Sequence, residues 1–242
     1  MSARVAIVTG GARGIGRAVG LRLAQDGARV VLADVVPGGD AVAAAITDAG
    51  GQAHAVELDV TDAAAVDDRV ARVAGELGPP LVLVNCAGVL GPEAALDDVD
   101  VDEMRRVLEV NFFGVLHCCR AVVPHMRAAG WGRVVTISSH SRHGCEERAP
   151  YAASKAAVTS LMRTLAMENV RTGILANCIE PGRTLTDMIV PRFTAEHLAD
   201  PPDAPIGRYA DPAEIAEAVA WLCSERNTYA TGAAFNISGG AI

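Results

Sequence analysis

The chain has 242 residues, 50% of them hydrophobic, and a formal net charge of −8. That length buries a sizeable core in one domain, and the acidic balance argues against nucleic acid or an anionic membrane surface as partner, leaving a small molecule. No uninterrupted apolar stretch approaches bilayer length, and the first strand-like run begins too near Met1 for a signal peptide. The six cysteines carry no Cys-x-x-Cys pair, so reduced thiols and a cytoplasmic setting are expected.

In chain order, Val5–Val8 reads as a strand, Ile15–Gln25 as a helix, Val30–Ala33 as a strand, Ala41–Ala49 as a helix and Ala53–Leu58 as a strand. Ala63–Leu77 follows as a helix, Leu81–Val84 as a strand, Asp102–Ala129 as a long helix and Val134–Ile137 as a strand. Tyr151–Arg171 then reads as a helix, Ala176–Ile179 as a strand, Pro212–Cys223 as a helix and Ala234–Ile237 as the last strand. Glycines stand where the chain leaves its helices, at Gly27, Gly50, Gly78, Gly130 and Gly173, and Asp62 and Asp211-Pro212 supply helix starts. The strand runs are nearly continuous in apolar residues, as when helices cover both faces, so the sheet should be mostly parallel. The expected architecture is α/β: a Rossmann-like doubly wound sheet of about seven strands with helices on both faces, residues 1–242 forming a single domain. Between Thr184 and Arg208 the prolines Pro191, Pro201, Pro202 and Pro205 break the helical hints, and this long excursion is expected to act as a lid.

The first strand runs straight into Thr9-Gly10-Gly11-Ala12-Arg13-Gly14-Ile15-Gly16 and a helix, the context of a dinucleotide-binding turn. Gly10, Gly14 and Gly16 let the backbone turn tightly and approach a pyrophosphate at the helix N-terminus, with Arg13 and Ile15 in the same turn. The second strand ends at Asp34, eighteen residues after Gly16, where a carboxylate accepts from a ribose 2′-hydroxyl and repels a 2′-phosphate. NAD is therefore favoured over NADP, although Arg13 leans mildly the other way. Asp59-Val60 and Asn85-Cys86-Ala87-Gly88 follow the third and fourth strands, at the sheet edge where ligands bind.

Among twenty arginines stands one lysine, Lys155, four residues after Tyr151, so a helix puts both on one face. Arginine is a permanently charged planar fork; lysine is a compact charge whose pKa moves with its surroundings. Taken with the glycine turn, Asn85-Cys86-Ala87-Gly88, Asn111 and the strand-ending Ser138-Ser139, the Tyr151-x-x-x-Lys155 pair resembles the short-chain dehydrogenase/reductase family over nearly the whole chain. The resemblance implies NAD(H)-dependent interconversion of a secondary alcohol and a ketone. It makes Tyr151 the general acid/base, Lys155 the charge that eases phenol ionisation and a ligand of the nicotinamide ribose, and Asn111 the residue that kinks its helix toward a water near the lysine. It places the substrate-holding serine at Ser139 by position on the strand, while the family's usual spacing of thirteen residues to the tyrosine fits Ser138 instead. It assigns Asn177 and Pro181-Gly182 to the cover over the nicotinamide, with Thr184 in place of a usual aliphatic residue and Thr186 reaching a phosphate or the carboxamide. Ser238 departs from the usual acidic residue.

The loop His140–Arg148 is polar, which favours a polar or charged small alcohol or ketone; metal binding through His140, His143 and Cys145 is disfavoured for want of further ligands. The nearer alternative is a 3-oxoacyl-thioester reductase, whose acidic carrier would need Arg127, Arg133 and Arg171 on one face. The alternative from another class is an inactive nucleotide-binding regulator, which would not need Tyr151 and Lys155. A homo-oligomer, a tetramer in the family's manner, is expected on the helices Asp102–Ala129 and Tyr151–Arg171.

Overall fold

The computed structural model describes residues 4–199, 201–202 and 204–241. Asp200 and Asp203, within the segment expected to form a lid, lie outside the described residues, as do Met1 and Ile242. Seven strands form one sheet in the order β3-β2-β1-β4-β5-β6-β7: β1 Val5–Thr9, β2 Arg29–Asp34, β3 Gln52–Glu57, β4 Pro80–Asn85, β5 Gly132–Ile137, β6 Ile174–Pro181 and β7 Ala234–Ile237. Every pairing is parallel. The strand order reverses between β1 and β4, and that crevice lies at the carboxyl ends of both strands.

The period of two along each strand divides the core. Val5 and Ile7 of β1, with Val31, Leu83 and Val134, pack under α3 (Ala63–Leu77), α5 (Gly114–Ala129) and α6 (Ala149–Asn169). Ala6 and Val8, with Val30, Leu32, Val82 and Val135, pack under α1 (Gly14–Gln25), α2 (Gly39–Asp48) and α8 (Pro212–Cys223). The edge strand β3 departs from the continuous apolar pattern, since Gln52, His54 and Glu57 are exposed. Asp62 caps α3 by accepting from Ala65 N at 3.0 Å, and Asp211 caps α8 in a reciprocal box with Glu214.

Most boundaries move by one or two residues, and three elements differ more instructively. The helix carrying Tyr151 begins at Ala149 and ends at Asn169, because Pro150 fits its first turn and Thr172 closes a turn back onto Asn169. The long helix is continuous from Val101 to Ala129 but is built as α4 (Val101–Leu108), one π-helical stretch over Glu109–Phe113, and α5. This 101–129 run is, among the described residues, apolar and long enough to cross a membrane by composition, yet its side chains Val107, Val115, Cys118, Val122 and Met126 are buried in the protein. The excursion after Thr184 is partly helical, with a 3₁₀ turn Val190–Arg192 and a short α7, Ala195–Ala199. There His197 stacks on Phe193, ring centroids 4.3 Å apart, and its Nε2 lies 2.8 Å from the Tyr209 hydroxyl, which packs the segment despite its prolines. All six cysteines are free.

Candidate active site

A cleft of about 670 Å³ opens at the switch point between β1 and β4. Gly10, Arg13, Gly14, Ile15 and Gly16 line one wall, Asp34, Asp59 and Val60 another, and Ala87, Gly88 and Thr186 a third; Tyr151 and Lys155 close the inner end. The glycines have measurable reasons. A Cβ on Gly16 would stand 2.0 Å from the Gly10 carbonyl oxygen, so helix and strand could not approach as they do, and Gly10 has a φ of +67° with Ala87 N 2.8 Å from where a Cβ would be. Helix α1 has no side-chain cap and no acidic residue in its first turn, which leaves its terminal N–H groups for an anion. Asp34 accepts from Ala12 N at 3.0 Å and Val36 N at 3.1 Å, which fixes its carboxylate at the cleft edge. Asp59 accepts from both the backbone N and the hydroxyl of Thr61. Uncapped N–H groups, space made by glycines and a fixed strand-end acid together fit a dinucleotide.

A second cavity, about 500 Å³, lies on the other side of Tyr151 and is lined by Ser138, Ser139, His140, Pro181, Gly182, Thr184 and the segment Met188–Ile189. Tyr151, Ile15, Ile137, Thr186 and Met188 border both spaces. The two serines divide their work. Ser138 is 1% exposed and its hydroxyl is engaged with the Lys155 carbonyl at 3.0 Å and Thr159 Oγ1 at 2.9 Å, tying β5 to α6. Ser139 accepts from Ser141 N at 3.1 Å, lines the second cavity with Tyr151, and its hydroxyl draws the phenol's pKa down. Position on the strand, rather than residue count, thus identifies the serine beside the tyrosine.

Lys155 is buried and donates from Nζ to the Ile137 carbonyl at 2.7 Å, with Nζ 5.6 Å from the centroid of the Tyr151 ring. Burial pulls its pKa down to about 8. Burial also raises the Tyr151 phenol above its ordinary value, and the groups that draw it back are the Ser139 hydroxyl and the charge of Arg148. The Lys155 ammonium is anchored at the end of β5 within reach of the Tyr151 ring, and the structure adds a second charge that acts on the phenol, that of Arg148, three residues before the tyrosine. An i, i+3 spacing was the available signal for Arg148, overlooked because it stood in a loop of many polar residues. Asn111 is fully buried inside the π stretch; its Oδ1 accepts from Val89 N at 2.8 Å, and its Nδ2 donates to Val89 O at 2.9 Å and Ser154 Oγ at 3.0 Å. Ser154 in turn donates to the Tyr151 carbonyl at 2.7 Å.

Several expected contacts fall elsewhere. The Asn85 side chain does not line the cleft: it is buried in the sheet, donating to Thr136 Oγ1 at 3.1 Å. Asn177 is likewise spent on the Ala230 carbonyl and Ala233 N, at 2.8 and 3.2 Å. Thr184 is 3% exposed, donates to the Gly182 carbonyl and borders the second cavity rather than the cleft. Ser238 donates to the Ala241 carbonyl at 2.6 Å. Arg133 is buried and donates to the carbonyls of Gly132, Gly173 and Asn227, so it makes no basic face with Arg127 and Arg171. In the polar loop, Arg142 pairs with the buried Glu180, while Arg148 and Arg192 both bind Glu93 Oε1. Among the described residues no group of three or more His, Cys, Asp or Glu is placed to hold a metal ion.

A parallel sheet with a glycine turn at its switch point and a Tyr-Ser-Lys set at the inner end defines a nicotinamide-dependent oxidoreductase. A family model described as "Enoyl-(Acyl carrier protein) reductase" matches residues 10–241. The chain is 40% identical over 238 residues, 98% of its length and 96% of the relative, to a cis-4-hydroxycyclohexanecarboxylate dehydrogenase from Sinomonas cyclohexanicum. It is 34% identical to a cyclohexanol dehydrogenase from Rhodococcus sp. (strain TK6), with 98% of the chain and 95% of the relative covered. Identity is also 34%, over 98% of the chain and 94% of the relative, to a 2-dehydro-3-deoxy-L-rhamnonate dehydrogenase (NAD(+)) from Sphingomonas sp. (strain SKA58). The chain belongs to the short-chain dehydrogenase/reductase family and is an oxidoreductase acting on CH–OH groups.

Proposed function

We propose that the protein interconverts a small secondary alcohol and its ketone with NAD(H), Tyr151 acting as general acid/base. The observation that carries this reading is the position of Tyr151: it borders both cavities, with Ser139 lining the second beside it and drawing its phenol's pKa down. In reduction the phenol, held protonated by burial, donates its proton to the substrate oxygen while Ser139 holds that oxygen; in oxidation the phenolate takes the proton back. The nicotinamide, when bound, supplies or receives the hydride. Gly10, Gly14, Gly16, Asp34, Asp59 and Val60 would hold the dinucleotide, and Lys155, anchored on Ile137, would face its ribose. The fixed carboxylate of Asp34 supports NAD over NADP, as does the cofactor in the name of one relative.

Relatives named for cyclohexanol and hydroxycyclohexanecarboxylate support a small cyclic alcohol as substrate. The segment 184–208 would close over it, since Met188 borders both cavities and Ile189, Ala204 and Ile206 border the second. Exposed Val101, Phe113 and Met167 on the two long helices, with Val170 just beyond the second, support assembly of copies through those helices. The test is hydride transfer with a panel of secondary alcohols and ketones, with NAD(H) and NADP(H), on wild type and Tyr151→Phe. Turnover with NAD(H) that Tyr151→Phe loses is expected. Full activity in Tyr151→Phe would remove the tyrosine from the mechanism, and a strong preference for NADP(H) would remove the argument from Asp34.

A further inference from the structure

The second cavity has one wall whose polar capacity the protein leaves unused. Of the arginines that line it, Arg183 stacks on Phe193, 5.0 Å from its ring centroid, and Arg208 is committed to Glu214 through two bonds, at 2.7 and 2.8 Å. Arg148 is different. Its side chain is only 17% exposed and gives one bond, from one terminal nitrogen to Glu93 Oε1. A guanidinium carries five N–H donors in a planar fork, so most of Arg148's remain available. Glu93 does not cancel the charge, because the same oxygen also takes Arg192 at 2.8 Å: two guanidiniums share one carboxylate. Glu180, the acid beneath the loop, is likewise paired, with Arg142. At Glu93, then, two guanidinium charges meet one carboxylate.

The second unused group is His140, the residue after Ser139. It lines the same cavity, and its Nδ1 is closed to solvent with no partner in the protein. Buried polar atoms are nearly always bonded, so an imidazole at the cavity wall with one that is not gains a bond when its ring turns this nitrogen toward a ligand there.

We propose that the substrate is a hydroxy acid, or the corresponding keto acid, whose carboxylate lies away from the reacting carbon and is received by Arg148 and His140. The inference rests on the alcohol/ketone reading above and narrows its substrate class. With its proton on Nδ1, His140 donates one bond to the carboxylate, and Arg148 donates one or two from its fork. Both residues then fix which carbon of the substrate reaches Tyr151 and Ser139, so they determine specificity.

The test compares kcat/KM for 4-hydroxycyclohexanecarboxylate and for its uncharged carboxamide, a match in size, in wild type, Arg148→Gln, Arg148→Lys and His140→Gln. Cofactor dissociation constants confirm that each variant is folded. Wild type should prefer the acid by roughly 10- to 100-fold, the range of a charge-assisted bond. Arg148→Gln should collapse that ratio, chiefly through KM for the acid; Arg148→Lys should keep part of it, and His140→Gln should reduce it several-fold. Equal kcat/KM for acid and amide in wild type, or a ratio unchanged in Arg148→Gln, overturns the proposal. Turnover of neutral alcohols with none of a series of hydroxy acids overturns it while leaving the alcohol/ketone reading intact. If no secondary alcohol of any kind is oxidised by protein that binds NAD, the underlying reading fails and the proposal fails with it.

Discussion

Replacing Asn111 with alanine should cost both stability and activity, and the size of the loss follows from what the side chain holds. Asn111 is wholly buried and pairs both the N–H and the C=O of Val89, in the loop after β4, while donating to Ser154. Alanine would orphan both backbone groups of the half-buried Val89, at about 1–3 kcal/mol each. The expected loss is about 2–5 kcal/mol, which in a chain of this size lowers Tm by on the order of 10 °C. Activity should fall as well, by roughly tenfold, because the chain Asn111 to Ser154 to the Tyr151 carbonyl positions the turn of α6 that carries the phenol. Asn111→Asp sharpens the test. A carboxylate keeps the bond from Val89 N but opposes the Val89 carbonyl, so its folded-state pKa lies above the unfolded value of ~3.9. Such a group costs stability as pH rises through that raised pKa, and the deficit relative to wild type should shrink on acidification. Urea unfolding of the three proteins at pH 5.5 and 8, with initial rates at pH 8, supplies the readout. A loss below ~0.5 kcal/mol for Asn111→Ala, or a pH-independent deficit for Asn111→Asp, refutes the reasoning.

Lys155 offers a second pH signature. Its folded pKa of about 8 against 10.5 unexposed to the fold means the unfolded chain binds more protons between those values, so this group's contribution raises stability as pH climbs from about 8 to 10.5. Relative to Lys155→Met, wild type should gain roughly 3 kcal/mol across that window, measured by denaturant unfolding; a flat difference would show that burial does not depress the ammonium. Gly16→Ala forces a Cβ to within 2.0 Å of the Gly10 oxygen and should lower stability by about 1–3 kcal/mol and weaken NAD binding tenfold or more, by melting and cofactor titration; unchanged values would contradict the close approach. Asp211→Ala removes the capping box of α8 and should cost about 0.5–2 kcal/mol with the turnover of folded enzyme intact, and an unaltered melting curve would deny the cap its role.

The fold was legible because most strands are short apolar runs and most connections a helical period ending near a glycine, so local preference and burial agree; β3, QAHAVE at the sheet edge, is the exception. Val5–Val8 and Ala234–Ile237 already lay within their observed strands. The site was legible wherever a residue's type answers a backbone need, as at Gly10 and Gly16, or stands at a strand end, as at Asp34. It was not legible where a polar side chain had two possible directions. Asn85 ends a strand too, yet it turns into the sheet toward Thr136, a choice set by β5 rather than by its neighbours in sequence. Residue counting pointed to Ser138 because spacing is blind to pleat; the pleat puts Ser138 against α6 and Ser139 against Tyr151. The π stretch at Asn111 depends on Val89 and Ser154 arriving from two other segments, so no local pattern announces it.

Glu93 gives the molecule an economy with a drawback. Its one oxygen takes Arg148, whose charge draws the Tyr151 phenol down, and Arg192, which belongs to the segment proposed as the lid. Each of these partly exposed pairs is worth on the order of 1 kcal/mol, a bias rather than a lock. Yet whenever Arg192 lifts away, Glu93 is left to Arg148 alone and screens more of the charge felt by the tyrosine. If the segment opens as proposed, admitting a ligand and setting the acidity of the proton donor are coupled through this one carboxylate.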